Sequence, residues 1–111
     1  MIAEIAERRD EIAALCRRYG VRRLELFGSA ATGAFDPLTS DVDFLVEYPD
    51  GYDYGLWHER YFALKDELRF VLGRPVDLIK TNARNDDGFW SAVNASRETI
   101  YDGPTVADVA D

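Results

Sequence analysis

The stretch DVDFLVEY, residues 41 to 48, constrains the fold more than any other part of this chain. It reads as a β-strand, and a side-chain period of two puts Asp41, Asp43 and Leu45 on one face and Val42, Phe44 and Val46 on the other. Two carboxylates therefore share a side in a chain that already carries twenty-one acidic and thirteen basic residues, a formal charge of −8. Carboxylates crowded on one strand face raise each other's pKa unless a cation intervenes, and a divalent metal is the most effective neutraliser.

The flanking pattern alternates between helical and extended periods. Ile5, Ile12, Cys16 and Tyr19 form one helical stripe over residues 2 to 19, with Leu15 beside it, and Gly20 supplies a stop. VRRLELF, 21 to 27, alternates as a strand and runs into Gly28-Ser29, where a short helix can begin. A turn is expected around Asp36-Pro37-Leu38-Thr39, before the acidic strand, and another in PDGYDYG after it. Trp57, Tyr61, Leu64, Leu68, Val71 and Leu72 mark a helix closed by Gly73 and Pro75. PVDLIK, 75 to 80, is a third strand with Asp77 between Val76 and Leu78, and Phe89, Trp90 and Val93 mark a last helix before ETIYDG. This order predicts an α/β (α+β) domain over 1–103, with helices packed on a small three-stranded sheet and an acidic, flexible tail over 104–111. Periodicity leaves the strand directions open.

A composition of 47% hydrophobic and 31% charged residues is that of an ordered globule, so one core is expected in 111 residues. The net charge repels a phosphate backbone and argues against a broad nucleic-acid-binding face. Cys16 is the only cysteine, which rules out an internal disulfide. Neither a signal peptide nor a run of membrane-spanning length is present, so a soluble cytoplasmic protein is the expectation, with no membrane partner.

Oxygen-only ligands favour Mg²⁺, or Mn²⁺, over zinc. Asp77 adds a third such ligand if its strand lies beside the acidic one, and that set suits a two-metal site for in-line phosphoryl displacement. Gly28-Ser29 complements it, because a turn from strand to helix offers backbone N–H groups and a hydroxyl to a polyphosphate, and glycine permits close approach. Each piece is weak by itself: DxD is common on surface strands, Gly-Ser after a strand is usually only a turn, and a single aspartate can guard an edge strand. Their combination in this order is far more specific.

LFGSAATGAFDPLTSDVDFLVEY resembles the signature of the nucleotidyltransferase superfamily typified by DNA polymerase β. With GRPVDLI at 73 to 79 bearing the third aspartate, the chain is similar to a minimal nucleotidyltransferase, over nearly its whole length. The resemblance implies a nucleotidyltransferase fold with a small mixed sheet. It also implies that Gly28, Ser29 and Gly33 serve the nucleotide, that Asp41 and Asp43 hold two Mg²⁺ ions, and that Asp77 completes the site where an acceptor hydroxyl is activated. Ser40, just before the acidic strand, suits either fixing the turn or contacting a phosphate. The implied reaction is attack of a hydroxyl on the α-phosphate of ATP, releasing pyrophosphate. Minimal members commonly serve as antitoxins of HEPN-domain ribonuclease toxins. A hetero-oligomer with such a toxin, and AMP transfer to one of its tyrosines, are therefore the expected partner and activity. Many members carry arginines in the turn, in a pattern like GSRARG, where this chain has Ala30, Ala31 and Thr32. Each missing charge-assisted bond is worth roughly 1.5–3 kcal/mol, so an antitoxin that works by binding alone is the alternative.

Three further features carry ordinary readings beside functional ones. Tyr48, Tyr52, Tyr54 and Trp57 suit either a partner-binding patch or packing of their turn on a helix. His58 reads as a solvent-facing residue, and Arg74 as a loop charge rather than a phosphate ligand.

Overall fold

In the computed structural model, which describes residues 1–32, 36, 41–83 and 85–103, the strand pattern resolves into four strands: β1 (Arg23–Phe27), β2 (Val42–Glu47), β3 (Val76–Lys80) and β4 (Glu98–Asp102). The sheet order is β3-β2-β1-β4. β2 runs parallel to β3, whereas β1 is antiparallel to both of its neighbours, β2 and β4. The sheet is mixed, as the resemblance implies, but it has four strands and not three. ETIYD escapes a periodicity reading because it is short, has acidic ends, and pairs with β1 across a register shift between Leu24 and Glu25. Its Ile100 nonetheless reaches the core, and Gly103 N–H extends the pairing by donating to Arg22 O at 2.8 Å.

Alternation decides which sheet face is dry. Leu24 and Leu26 of β1, Val42, Phe44 and Val46 of β2, and Val76 and Leu78 of β3 join one buried cluster with Ile5, Ile12, Cys16, Leu64 and Leu68 from the helices. Those helices are α1 (Ala3–Glu7), α2 (Arg9–Arg18) and α4 (Glu59–Leu72), while the single turn α3 (Ser29–Thr32) follows β1. The expected continuous helix over 2–19 is broken at Arg8, whose backbone (φ −103°, ψ 9°) leaves the helical region. The break keeps both Ile5 and Ile12 in the core while Ile2 N–H bonds to Ala30 O at 3.1 Å, tying α1 to α3. No glycine or proline marks it in the sequence.

The opposite sheet face carries α5 (Asp87–Ser96), capped by Asp86, which accepts from Phe89 N–H at 2.7 Å. Leu45 and Val93 are buried outside the main cluster, and Phe27 meets Phe89 edge-on with ring centroids 5.8 Å apart. Glu25 is buried on this face too, at 4% exposure, and a charge there requires a partner. Arg97, just past α5, supplies one: its Nε donates to Glu25 Oε2 at 3.0 Å and its Nη2 donates to Oε1.

Of the aromatic residues, Tyr48, Tyr52 and Tyr54 pack on one another with ring centroids 4.5 to 5.0 Å apart, and the Tyr52 hydroxyl donates to Tyr19 O. That is the packing reading of the cluster. Trp57 behaves differently: the expected helix begins only at Glu59, because Trp57 and His58 both adopt left-handed backbone (φ 57° and 56°), and Trp57 stands 92% exposed. His58 is exposed and stacks on Tyr54. Arg74 forms an ion pair with Glu4 through Nε at 2.5 Å and Nη2 at 2.9 Å, so it has a role in joining α1 to the loop before β3. Gly33, Ser40, the 37–39 turn and the 104–111 tail lie outside the described residues. No described helix is long and apolar enough to cross a membrane.

Candidate active site

The parallel pairing of β2 and β3 puts Asp43 directly beside Asp77. Both alternate away from the buried cluster, on the α5 side of the sheet: Asp43 is half-buried and Asp77 is exposed at the β3 edge. On its other side Asp43 pairs with Phe27, the last residue of β1, so the Gly28-Ser29 turn begins where the carboxylates stand. Asp41 lies exposed one residue before β2.

Three sequence-distant segments are thus drawn together. Burial first, then the charges of Asp77 and Asp41, push the Asp43 carboxyl up from 3.8 to about 6. Among the described residues no three acidic, imidazole or thiol groups converge as a closed cage. Open spacing is what uncompensated carboxylates prefer. The donor set is nevertheless all hard oxygen, on a cluster whose negative charge lifts one member's pKa, and that chemistry fits a divalent cation such as Mg²⁺.

Gly28 explains its own identity. Its φ is +75°, and a Cβ built on it would lie 2.7 Å from Asp43 Oδ2, so a larger residue there would force the carboxylate or the turn to move. The turn therefore lies against the carboxylate as only glycine allows. Its N–H, however, is taken: it donates to Ser96 Oγ at 2.9 Å, from the end of α5. What Gly28 brings is close approach to the carboxylate, and the next residue, Ser29, opens α3. α3 spans four residues, too few for a substantial helix dipole. Ala30 is fully buried in the core, so its position presents nothing to the site. No local pattern in the sequence marks Ser96 or Arg97, whose partners Gly28 and Glu25 lie 68 and 72 residues away.

The shifted Asp43 carboxyl has a consequence for stability. The folded state holds this proton more tightly than the unfolded chain, so the group stabilises the fold as pH falls from about 6 towards 3.8 and loses that contribution as pH rises through 6. The expected result is that, without divalent cations, the melting temperature of the wild type declines more between about pH 5 and about pH 7 than that of Asp43→Asn. Parallel pH profiles in calorimetry would contradict it.

The family profile of the nucleotidyltransferase domain matches residues 10–101. The chain belongs to the nucleotidyltransferase domain family. Solved structures agree on the fold. The chain is similar to one described as a minimal nucleotidyltransferase at 28% identity and a TM-score of 0.68, covering 85% of this chain and 90% of that one. It is also similar, at 22% identity and a TM-score of 0.66, to a toxin–antitoxin structure with AMP-PNP, covering 86% of this chain and 73% of the other. A third likeness, at 19% identity and a TM-score of 0.61 over 88% and 72% of the two chains, is to a complex of the tri-AMPylated Shewanella oneidensis HEPN toxin with an MNT antitoxin. No curated protein matches the chain.

Proposed function

We propose that this chain is a Mg²⁺-dependent protein adenylyltransferase that acts in the cytoplasm as the antitoxin of a HEPN ribonuclease, transferring AMP from ATP to a toxin tyrosine. The observation that carries the reading is the Asp43–Asp77 pair, abreast on parallel strands with the Gly28 turn pressed against Asp43. Family membership supports nucleotidyl transfer, and the AMP-PNP-bound and AMPylated-toxin relatives support the nucleotide and the acceptor class. Asp41, Asp43 and Asp77 would hold Mg²⁺, with Mn²⁺ as a substitute, and the bound cation supplies neutralisation of developing phosphate charge. Ser29 binds the polyphosphate through its amide and hydroxyl, Gly28 lets it approach, and Gly33 and Ser40, by family resemblance, serve the same phosphates. Asp77 orients the acceptor hydroxyl and draws its proton. The hydroxyl oxygen forms the new bond to the α-phosphorus as the bond to pyrophosphate breaks. A charge of −8 suits a basic, RNA-binding partner in a hetero-oligomer, since opposite potentials steer association.

A second reading is neutralisation by binding alone. It is favoured by the absence of any basic side chain over 28–32, with Ala30 turned into the core. Incubation with ATP, Mg²⁺ and the protein encoded by the adjacent reading frame, followed by intact-mass measurement, separates the two. The expected result is a toxin heavier by whole AMP units and without nuclease activity. A toxin that is inhibited at unchanged mass would establish the binding-only antitoxin instead.

A further inference from the structure

The Gly28 turn is held from two sides. On one side the Asp43 carboxylate leaves no room for a Cβ, and on the other Ser96 Oγ accepts the Gly28 N–H at 2.9 Å. Ser96 is itself poorly free to move. Its hydroxyl donates to Ala92 O at 3.4 Å, the next residue, Arg97, pairs twice with buried Glu25, and Val93 and Phe89 fasten α5 to the sheet. Arg97 Nη1 also donates to Asn94 Oδ1 at 2.6 Å, and its guanidinium lies 5.9 Å from the Trp90 ring centre, so the end of α5 is tied to its own preceding turn. A serine hydroxyl on so fixed a support sets where the amide it accepts from must be.

We infer that Ser96 is a positioning residue for nucleotide binding: its bond to Gly28 N–H fixes the Gly28-Ser29 turn over Asp43, so that Ser29 meets the polyphosphate at the carboxylates. The inference rests on the nucleotide site proposed above. The opposing possibility is that Ser96 Oγ merely occupies an amide that a phosphate oxygen would take, in which case removing it frees a donor and tightens binding. The buried Glu25–Arg97 pair argues for the fixed support, because Ser96 cannot swing aside with its helix end without breaking both Arg97 hydrogen bonds and leaving Glu25 only the longer 3.7 Å contact with Arg23 Nε.

The test compares wild type, Ser96→Ala and Ser96→Thr, using ATP with Mg²⁺ as the probe. Loss of one hydrogen bond that orders the turn is expected to weaken ATP binding by about five- to tenfold in Ser96→Ala, with near-wild-type affinity restored in Ser96→Thr. The melting temperature should barely change, since alanine is a good helix former. Amide hydrogen exchange at Gly28 gives a readout that needs no nucleotide: protection is expected in wild type and Ser96→Thr and lost in Ser96→Ala. Equal or tighter ATP binding by Ser96→Ala, or unchanged Gly28 protection, overturns the inference while leaving the proposed function standing. A wild-type protein that binds no ATP with Mg²⁺ overturns the proposed function and the inference together.

Discussion

Asp43→Asn is expected to slow AMP transfer about a thousandfold, or about 4 kcal/mol of lost transition-state stabilisation, while the protein stays folded. Asparagine keeps the shape of the side chain and removes the charge that would hold a divalent cation, at the one position flanked by both Asp77 and the Gly28 turn. Because the Asp43 carboxyl is crowded and lifted to about 6, discharging it relieves repulsion at neutral pH, so thermal stability without metal should hold or rise. Single-turnover labelling of the toxin with ATP marked at the α-phosphate measures the first effect and calorimetry the second. Undiminished transfer by a well-folded variant would remove Asp43 from the reaction. A loss of transfer accompanied by a large drop in melting temperature would mean that the aspartate serves the fold instead.

Gly28→Ala should show the second large effect. Alanine in left-handed backbone costs about 1 kcal/mol, and here the methyl would also need the space of Asp43 Oδ2, 2.7 Å from the Cβ position. Either the turn or the carboxylate must shift, and a displacement on the order of 1 Å in such a site costs about a hundredfold in rate. Gly51→Ala is the matched control: φ there is +73°, but nothing lies within 4 Å of the added Cβ. Both variants should lose stability in urea, Gly28→Ala more than Gly51→Ala because of the added clash, and only Gly28→Ala should lose transfer. Equal transfer rates would show that the contact between the turn and the aspartate has no part in the chemistry.

How much of this was legible beforehand depended on whether the signal was local. β2 was readable because a two-residue alternation of Val42, Phe44 and Val46 against Asp41 and Asp43 has one consistent interpretation, and the same holds for Asp77 between Val76 and Leu78. Placing Asp77 beside Asp43 needed only that their strands be neighbours. β4 was not readable, since a bulge in its pairing breaks the alternation and only Ile100 is deeply buried. Trp57 misleads for a related reason: its spacing fits the α4 stripe, but Gly55 and two left-handed residues turn the chain before the helix starts. The contacts that hold the site, Ser96 with Gly28 and Arg97 with buried Glu25, join residues 68 and 72 positions apart. Such pairs leave no mark on periodicity, composition or motif spacing.

The pairing of Asp43 with Asp77 has one more consequence. Neighbouring strands stand about 4.8 Å apart because of their backbone hydrogen bonds, whatever side chains fill the core. The separation of these carboxylates is therefore an inherited property of the main chain, insensitive to which apolar residues occupy positions such as Phe44 or Leu78. The same arrangement is brittle in another direction. A slip of β3 by one residue would turn Asp77 into the core on the α2 and α4 side and bring Val76 or Leu78 to its place, so tolerance to substitution and intolerance to insertion have a single origin.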